Sequence, residues 1–261
     1  MSVLFDKMNL KGVELKNRLI RSATHEAMAD EDGFPTDSLF KLYECLSKGG
    51  VGLIITGYTF VSKDGKSNAM LGIDQDEHIP KYKELVDHVH KNGVKIAMQI
   101  NHCGRQTTKD MTGTQTIAPS AVKDNSFLDT PRAMTDQDID NVIEAFAKAS
   151  KRVKDSNFDA VQLHGAHGFL INQFLCPHTN RRKDKWGGSL ENRMRIVQKI
   201  YKACREQVGD DYPIFIKING YDNMKNGIKE EEGIIMAEMI ADMGFDAIEV
   251  SCGIGEDGGS T

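Results

Sequence analysis

Cysteine, net positive charge and long apolar runs are all scarce in this chain, and each scarcity removes a class of function. Five cysteines occur, Cys45, Cys103, Cys176, Cys204 and Cys252. They are odd in number, widely scattered and without C-x-x-C spacing, so they supply no zinc or iron–sulfur ligand set and fit reduced thiols in a cytoplasmic protein. Basic residues number 33 against 38 acidic ones, a formal net charge of −5 with a pI near 5.9. That balance argues against a general nucleic-acid or anionic-membrane binder. The charged stretches "KNRLIR" and "NRRKDK" read as solvated loops. No segment approaches the roughly 20 apolar residues of a membrane span, and the N-terminus lacks a signal-peptide apolar core.

What the chain does have is a core and a rhythm. Of its 261 residues, 39% are hydrophobic and 27% charged, the balance of a globular domain. Continuous β-rich runs recur at "RLIRSA" (18–23), "GLIIT" (52–56), "KIAMQI" (95–100), "AVQLH" (160–164), "IFIKI" (214–218) and "AIEVS" (247–251). Continuous rather than alternating hydrophobicity marks parallel strands covered on both faces. Helical segments lie between them. Thr36 precedes "DSLFKLYECLSK", Thr135 with Asp138 resembles a capping box, and Ser189 opens a helix that stops at Gly209. "NFDAVQLH" (157–164) and "GFDAIEVS" (244–251) form a weak internal repeat at an offset of 87 residues. Repeated βα alternation predicts an α/β fold, a TIM (β/α)8-type barrel. A small hairpin is expected over about residues 3–17. Six strands fall short of the eight such a barrel needs, so the chain reads as one partial barrel domain lacking units seven and eight. The open edges of strands one and six would then invite self-association into a homo-oligomer.

In such barrels the C-terminal ends of the strands line the site. Those ends carry Ser22, Ala23 and Thr24, then Thr56, Gly57 and Tyr58, then Gln99 and Asn101, His164 and His167, Lys217 and Asn219, and Ser251. This set of neutral hydrogen-bonders, two histidines and one lysine has no carboxylate pair for glycoside hydrolysis. It suits a polar ring and a carbonyl to be polarised. Plainer readings stand beside the functional one at this point. The two histidines equally describe structural residues or half a metal site, Gln99 a satisfied structural amide, Lys217 a snorkelling lysine, and Tyr58 wall packing. Trp186 is expected to pack the long loop.

The stretch "HGAHGFLINQFLCPHTNRRKDKWGGSLENR" from His164 resembles the signature of the old yellow enzyme family, the FMN-dependent ene-reductases and their dienoyl-reductase relatives. "NRLIRSAT" (17–24), "GLIIT" and "AMQINHCGR" (97–105) match the family's first three strands in order, so the resemblance extends over essentially the whole chain. It implies a barrel with FMN across its mouth, NAD(P)H as reductant, and a small-molecule alkene as substrate. Ala23 and Thr24 would lie against the flavin, Tyr58 beside its ring, and Gln99 on its pyrimidine edge. Lys217 takes the place of an arginine near flavin N1 and O2, supplying charge without the bidentate fork. His164 and His167 would donate to the carbonyl or nitro oxygen of the substrate while hydride goes to the β-carbon.

Two departures stand out. Phe169 replaces the tyrosine that donates a proton in many relatives, which leaves Tyr58 and Tyr221 as candidate donors. The loops that hold the FMN phosphate follow strands seven and eight, which the chain lacks, so a truncated form of a longer reductase is expected. Two other functions fit the composition: a Schiff-base lyase using Lys217, and an inactive fragment or scaffold that binds no FMN.

Overall fold

The computed structural model describes residues 3–257. A hairpin comes first, β1 (Met8–Leu10) antiparallel to β2 (Val13–Leu15). Its two-residue link, Lys11-Gly12, has φ of 47° and 85°, the left-handed pair whose twist matches that of the flanking strands. Leu15 packs with Leu53, Ala97, Ala160 and Phe215, so the hairpin closes off the bottom of the strand arc that follows.

The remaining strands are β3 (Ile20–Arg21), β4 (Leu53–Ile55), β5 (Thr59–Phe60), β6 (Leu71–Gly72), β7 (Lys95–Asn101), β8 (Ile117–Ala118), β9 (Arg132–Ala133), β10 (Ala160–Gly165), β11 (Ile214–Tyr221) and β12 (Ala247–Cys252). The order β3-β4-β7-β10-β11-β12 is parallel throughout, a barrel arc with all six expected strands in sequence order. The first strand is shorter than "RLIRSA" suggests. The short β5 and β6 add to the C-terminal end of β7, and β8 pairs with β9 inside the loop after β7. Buried side chains cover both faces of β7 and β10, which accounts for their unbroken hydrophobicity.

The helices are α1 (Asp37–Lys48), α2 (Ile79–His90), α3 (Lys109–Thr112), α4 (Asp136–Asp155), α5 (Leu170–Leu175), α6 (Leu190–Val208) and α7 (Glu230–Met243). α1, α2, α4, α6 and α7 pack their apolar stripes onto the outer face of the arc, and the largest core cluster lies between the two layers. The capping box forms as read: Thr135 Oγ1 accepts from Asp138 N at 3.2 Å and Asp138 Oδ2 accepts from Thr135 N at 2.7 Å. Ser189 caps α6 through Asn192 N. Thr36 precedes α1 as expected, but its hydroxyl donates to Met28 O at 2.7 Å and caps nothing. The segment between β10 and α6 carries a helix that the sequence pattern does not mark: "LINQFL" is α5, and all its residues are buried. A six-residue helix enclosed on every side shows no amphipathic period, so its pattern hides in the sequence. Among the described residues no helix is long and apolar enough to cross a membrane.

The internal repeat has a structural explanation. Asn157 and Gly244 both turn with positive φ (66° and 95°), and Phe158 and Phe245 tuck beneath the sheet. The aspartate that follows accepts the first free N–H of a neighbouring strand. Asp159 Oδ2 takes Ile96 N at 2.9 Å, and Asp246 Oδ2 takes Ile214 N at 2.9 Å. Each carboxylate also holds cations or a histidine, His90 and Lys95 on Asp159, Arg205 on Asp246. Removing a mostly buried acceptor leaves these partners unsatisfied. Asp159→Ala is therefore expected to cost about 2–4 kcal/mol in urea unfolding, against less than about 0.5 kcal/mol for Asp155→Ala, whose carboxylate pairs with Lys151 in solvent. Equal losses would refute the role given to the repeat.

Candidate active site

Strand β10 and the turn after it carry both histidines. His164 is on the strand, opposite Lys217 of β11. His167 sits three residues on with φ 60°, followed by Gly168 at 78°. Two successive left-handed residues turn the chain sharply, and holding a histidine in that region needs bracing. Asn219 Oδ1 accepts from His167 N at 3.2 Å, Gln106 Nε2 donates to His167 O at 3.0 Å, and Ser251 Oγ shares a 2.7 Å hydrogen bond with His167 Nε2. A Cβ on Gly168 would come 2.3 Å from the Gln106 amide nitrogen and would sit on a left-handed backbone, so glycine is favoured there.

The imidazoles meet edge to face, with centroids 5.2 Å apart. Phe169 lies 4.8 Å from His164, Tyr58 lies 4.9 Å from Phe169, and His25 stacks on Tyr58 at 4.6 Å. These rings form an aromatic wall beside the histidines. Burial pushes the His164 imidazole well below the ordinary histidine range, helped by the charges of His167 and Lys217. Burial and the Lys217 cation bring His167 down to about 4, against an opposing pull from Glu249. Both rings are therefore neutral at pH 7, with one donor and one acceptor each. His164 Nδ1 is buried without a hydrogen-bond partner, an orphaned polar atom of the kind a ligand satisfies. If the Ser251 hydroxyl donates to His167 Nε2, that ring keeps Nδ1–H for a ligand.

Below the rings runs a polar row. Gln99 Nε2 donates to Gln162 Oε1 at 2.7 Å, Gln162 Nε2 donates to Glu249 Oε2 at 2.9 Å, and Lys217 Nζ lies 3.1 Å from Glu249 Oε1. Ser22 Oγ donates to Glu249 Oε1 at 2.5 Å and accepts from Lys217 Nζ at 3.2 Å. The description of the mouth as neutral hydrogen-bonders with one lysine is thereby corrected, since a carboxylate holds that lysine. Reading only the last residue of "AIEVS" missed it. Period two from Ser251 reaches Glu249 on the same face, and that alternation was the available signal.

The structure brings His164, His167, Gln99, Lys217, Tyr58 and Phe169 into one region. Ala23 and Thr24 lie at its margin. Ala23 packs on the Leu15–Phe215 cluster, and Thr24 is exposed with its hydroxyl donating to Ser22 O. Ser22, rather than either, joins the polar row. Tyr221 is exposed at the end of β11. Trp186 packs on Phe174 and donates to Asp136, bracing the loop as expected. The buried amide of Asn101 points the same way as Gln99, two residues earlier on β7, and its Oδ1 lacks a partner. Three loops that surround the site meet at Arg105, which is fully buried. Its Nη2 reaches Glu256 at 2.6 Å, and Glu256 in turn engages His178 and Asn125 N.

Comparison with known proteins bears on this geometry. The sequence profile of the NADH:flavin oxidoreductase / NADH oxidase family matches residues 3–253. An NADH oxidase from Thermoanaerobacter brockii is 41% identical over 257 residues, covering 97% of this chain and 39% of that protein. An NADPH dehydrogenase from Geobacillus sp. (strain WCH70) is 37% identical, covering 97% of this chain and 73% of that protein. Among solved structures, a 2-naphthoyl-CoA reductase complex superposes with a TM-score of 0.94 at 29% identity, over 99% of this chain and 42% of that one. An old yellow enzyme homologue from Zymomonas mobilis gives 0.87 at 25% identity, over 96% and 74%. The chain thus spans well under half the length of some relatives and about three quarters of others.

The depressed His167 has a consequence for stability. Between its folded value of about 4 and the ordinary 6.5, the unfolded chain binds a proton that the folded chain refuses. Stability from this group is complete above pH 6.5 and is lost as pH falls toward 4. Melting temperatures across that window are expected to fall less steeply for His167→Asn than for the parent. Identical slopes would show that the ring is not held neutral by its surroundings.

Proposed function

Because the chain belongs to the NADH:flavin oxidoreductase / NADH oxidase family, we propose that it forms the catalytic part of an FMN-dependent oxidoreductase that passes hydride from NAD(P)H to an activated alkene. The observation that carries this reading is the pair of neutral imidazoles above a paired lysine and an oriented amide, with one imidazole nitrogen buried and unsatisfied. This set fits a flavin with a small carbonyl or nitro compound over it. Gln99 and Lys217 would hold the pyrimidine edge, with Ala23 and Thr24 at its margin. FMN, when bound, supplies the hydride.

The chain's own residues do the rest. His164 and His167 each offer one N–H to the substrate oxygen, where negative charge builds as the β-carbon is reduced. Donors fixed in place before the reaction stabilise that charge without reorganising. Ser251 and Asn219 hold His167 to its turn, and the rings of Tyr58 and Phe169 exclude water from one side. Phe169 has no proton to give. Tyr58, 4.9 Å from it, is the candidate donor among the packed rings, whereas Tyr221 is exposed at the end of β11. Its hydroxyl is pushed above the ordinary range by burial, so it retains its proton at neutral pH. An ion pair uses lysine as a cation whereas a Schiff base needs the free amine, so the contact with Glu249 favours the flavin role for Lys217 over the lyase reading.

With a small enone as substrate and NADPH as reductant, His164→Ala is expected to lower kcat by about 10²–10³-fold, the usual cost of one oxyanion donor, while FMN stays bound. The comparison is made by steady-state oxidation of NADPH under anaerobic conditions. Undiminished turnover would remove the histidines from the chemistry.

A further inference from the structure

One carboxylate ties together the two side chains that the flavin reading places on the pyrimidine edge. Glu249 accepts from Ser22 Oγ and pairs with Lys217 Nζ through Oε1, and accepts from Gln162 Nε2 through Oε2. Gln162 Oε1 then accepts from Gln99 Nε2. A carboxylate has no proton to donate when ionised. Glu249 is held ionised against burial by the donors of Ser22 and Gln162 and by the Lys217 charge. Gln162 must therefore present its NH2 to Glu249, which turns its carbonyl toward Gln99. Gln99 must in turn present its own NH2 to that carbonyl. The direction of two amides, each capable of lying either way, is set by one charge two steps distant. What remains for a ligand is the Gln99 carbonyl and its second N–H. Those are the partners for an edge that alternates N–H with C=O, as the isoalloxazine pyrimidine ring does.

The same oxygen governs the cation. Lys217 Nζ is 3.1 Å from Glu249 Oε1, with the two side chains 8% and 28% exposed. A pair at this distance and burial is only partly screened, so the lysine presents less than a full positive charge to its surroundings. Register enforces the arrangement, since Lys217 and Glu249 are direct partners in the β11–β12 ladder and Gln99 and Gln162 in the β7–β10 ladder.

We propose that Glu249 is a positioning residue for the flavin: it orients the Gln99 amide through Gln162 and attenuates the Lys217 charge, lowering the reduction potential of the bound ring below what an unpaired lysine would give. The proposal rests on the flavin reading. It is tested on the 261-residue chain with lumiflavin, an isoalloxazine without phosphate, by fluorescence quenching for affinity and by anaerobic reductive titration for the potential of the bound ring.

The parent chain is expected to bind lumiflavin. Glu249→Gln should favour the reduced over the oxidised ring by about tenfold, a shift of about 30 mV to more positive potential. Lys217→Met should move the potential the opposite way, to more negative values, because it removes the cation that favours the anionic reduced ring; shifts of opposite sign from the two partners are what a merely structural loosening of the site would not produce. Gln162→Leu cuts the link to Gln99 while sparing the ion pair, and should weaken oxidised lumiflavin about tenfold. Should Glu249→Gln fail to fold, Glu249→Asp, with its shorter reach to Lys217, should shift the potential the same way. An unmoved potential in a folded Glu249 variant that binds lumiflavin, a Lys217→Met potential that does not fall, or unchanged affinity in Gln162→Leu would each overturn the role of Glu249. No lumiflavin binding by the folded parent would instead bring down the flavin reading and this inference with it.

Discussion

Strand register is the constraint on which the rest of this structure depends. Gln162 faces Gln99, His164 faces Lys217, and Lys217 faces Glu249 only because β7, β10, β11 and β12 are aligned as they are. Side chains alternate between faces, so a slip of one residue would send every one of these groups to the helix side. The alignment is fixed at the strand entrances, where Asp159 and Asp246 each capture a backbone N–H in the first two residues of a neighbouring strand. A structural device at the bottom of the arc thus determines the chemistry available at the top.

Burial then gives the site its electrostatic character. Two imidazoles are kept neutral, one cation is kept paired, and two amides point in directions they would not choose alone. Each is expensive in isolation, because an unpaired polar group away from water costs free energy. The network spreads that cost and leaves over a bare His164 Nδ1, buried without a hydrogen-bond partner. Loops close around the site where the buried Arg105 guanidinium joins the segment after β7 to Glu256 of the segment after β12, and Glu256 in turn engages His178 of the segment after β10.

Much of the architecture could be read from the sequence, for identifiable reasons. Strands buried on both faces are unbroken apolar runs, and all six stood out in order. Helices with sharp caps stood out too, at Thr135 and Ser189. α5 did not, because enclosure on all sides erases amphipathic period. The pair of histidines and Gln99 were found because strand ends point into such mouths. Glu249 escaped because it sits two residues before the strand end, and a carboxylate in the middle of "AIEVS" looks like an interruption of a core strand. The repeat "NFDA…GFDA" was visible, but its meaning was not. Only the folded arrangement shows an aspartate reaching sideways to another strand's amide.

The central claim is that side chains from four separate strands form one surface for a flat heterocycle. Titration of the 261-residue chain with FMN, followed by absorbance of the flavin bands, tests it most directly. Saturable binding with perturbed bands, greatly weakened when Gln99→Leu and Lys217→Met are combined, is the predicted result. A folded chain that leaves the flavin spectrum untouched, or one that binds equally well without those two side chains, would contradict it.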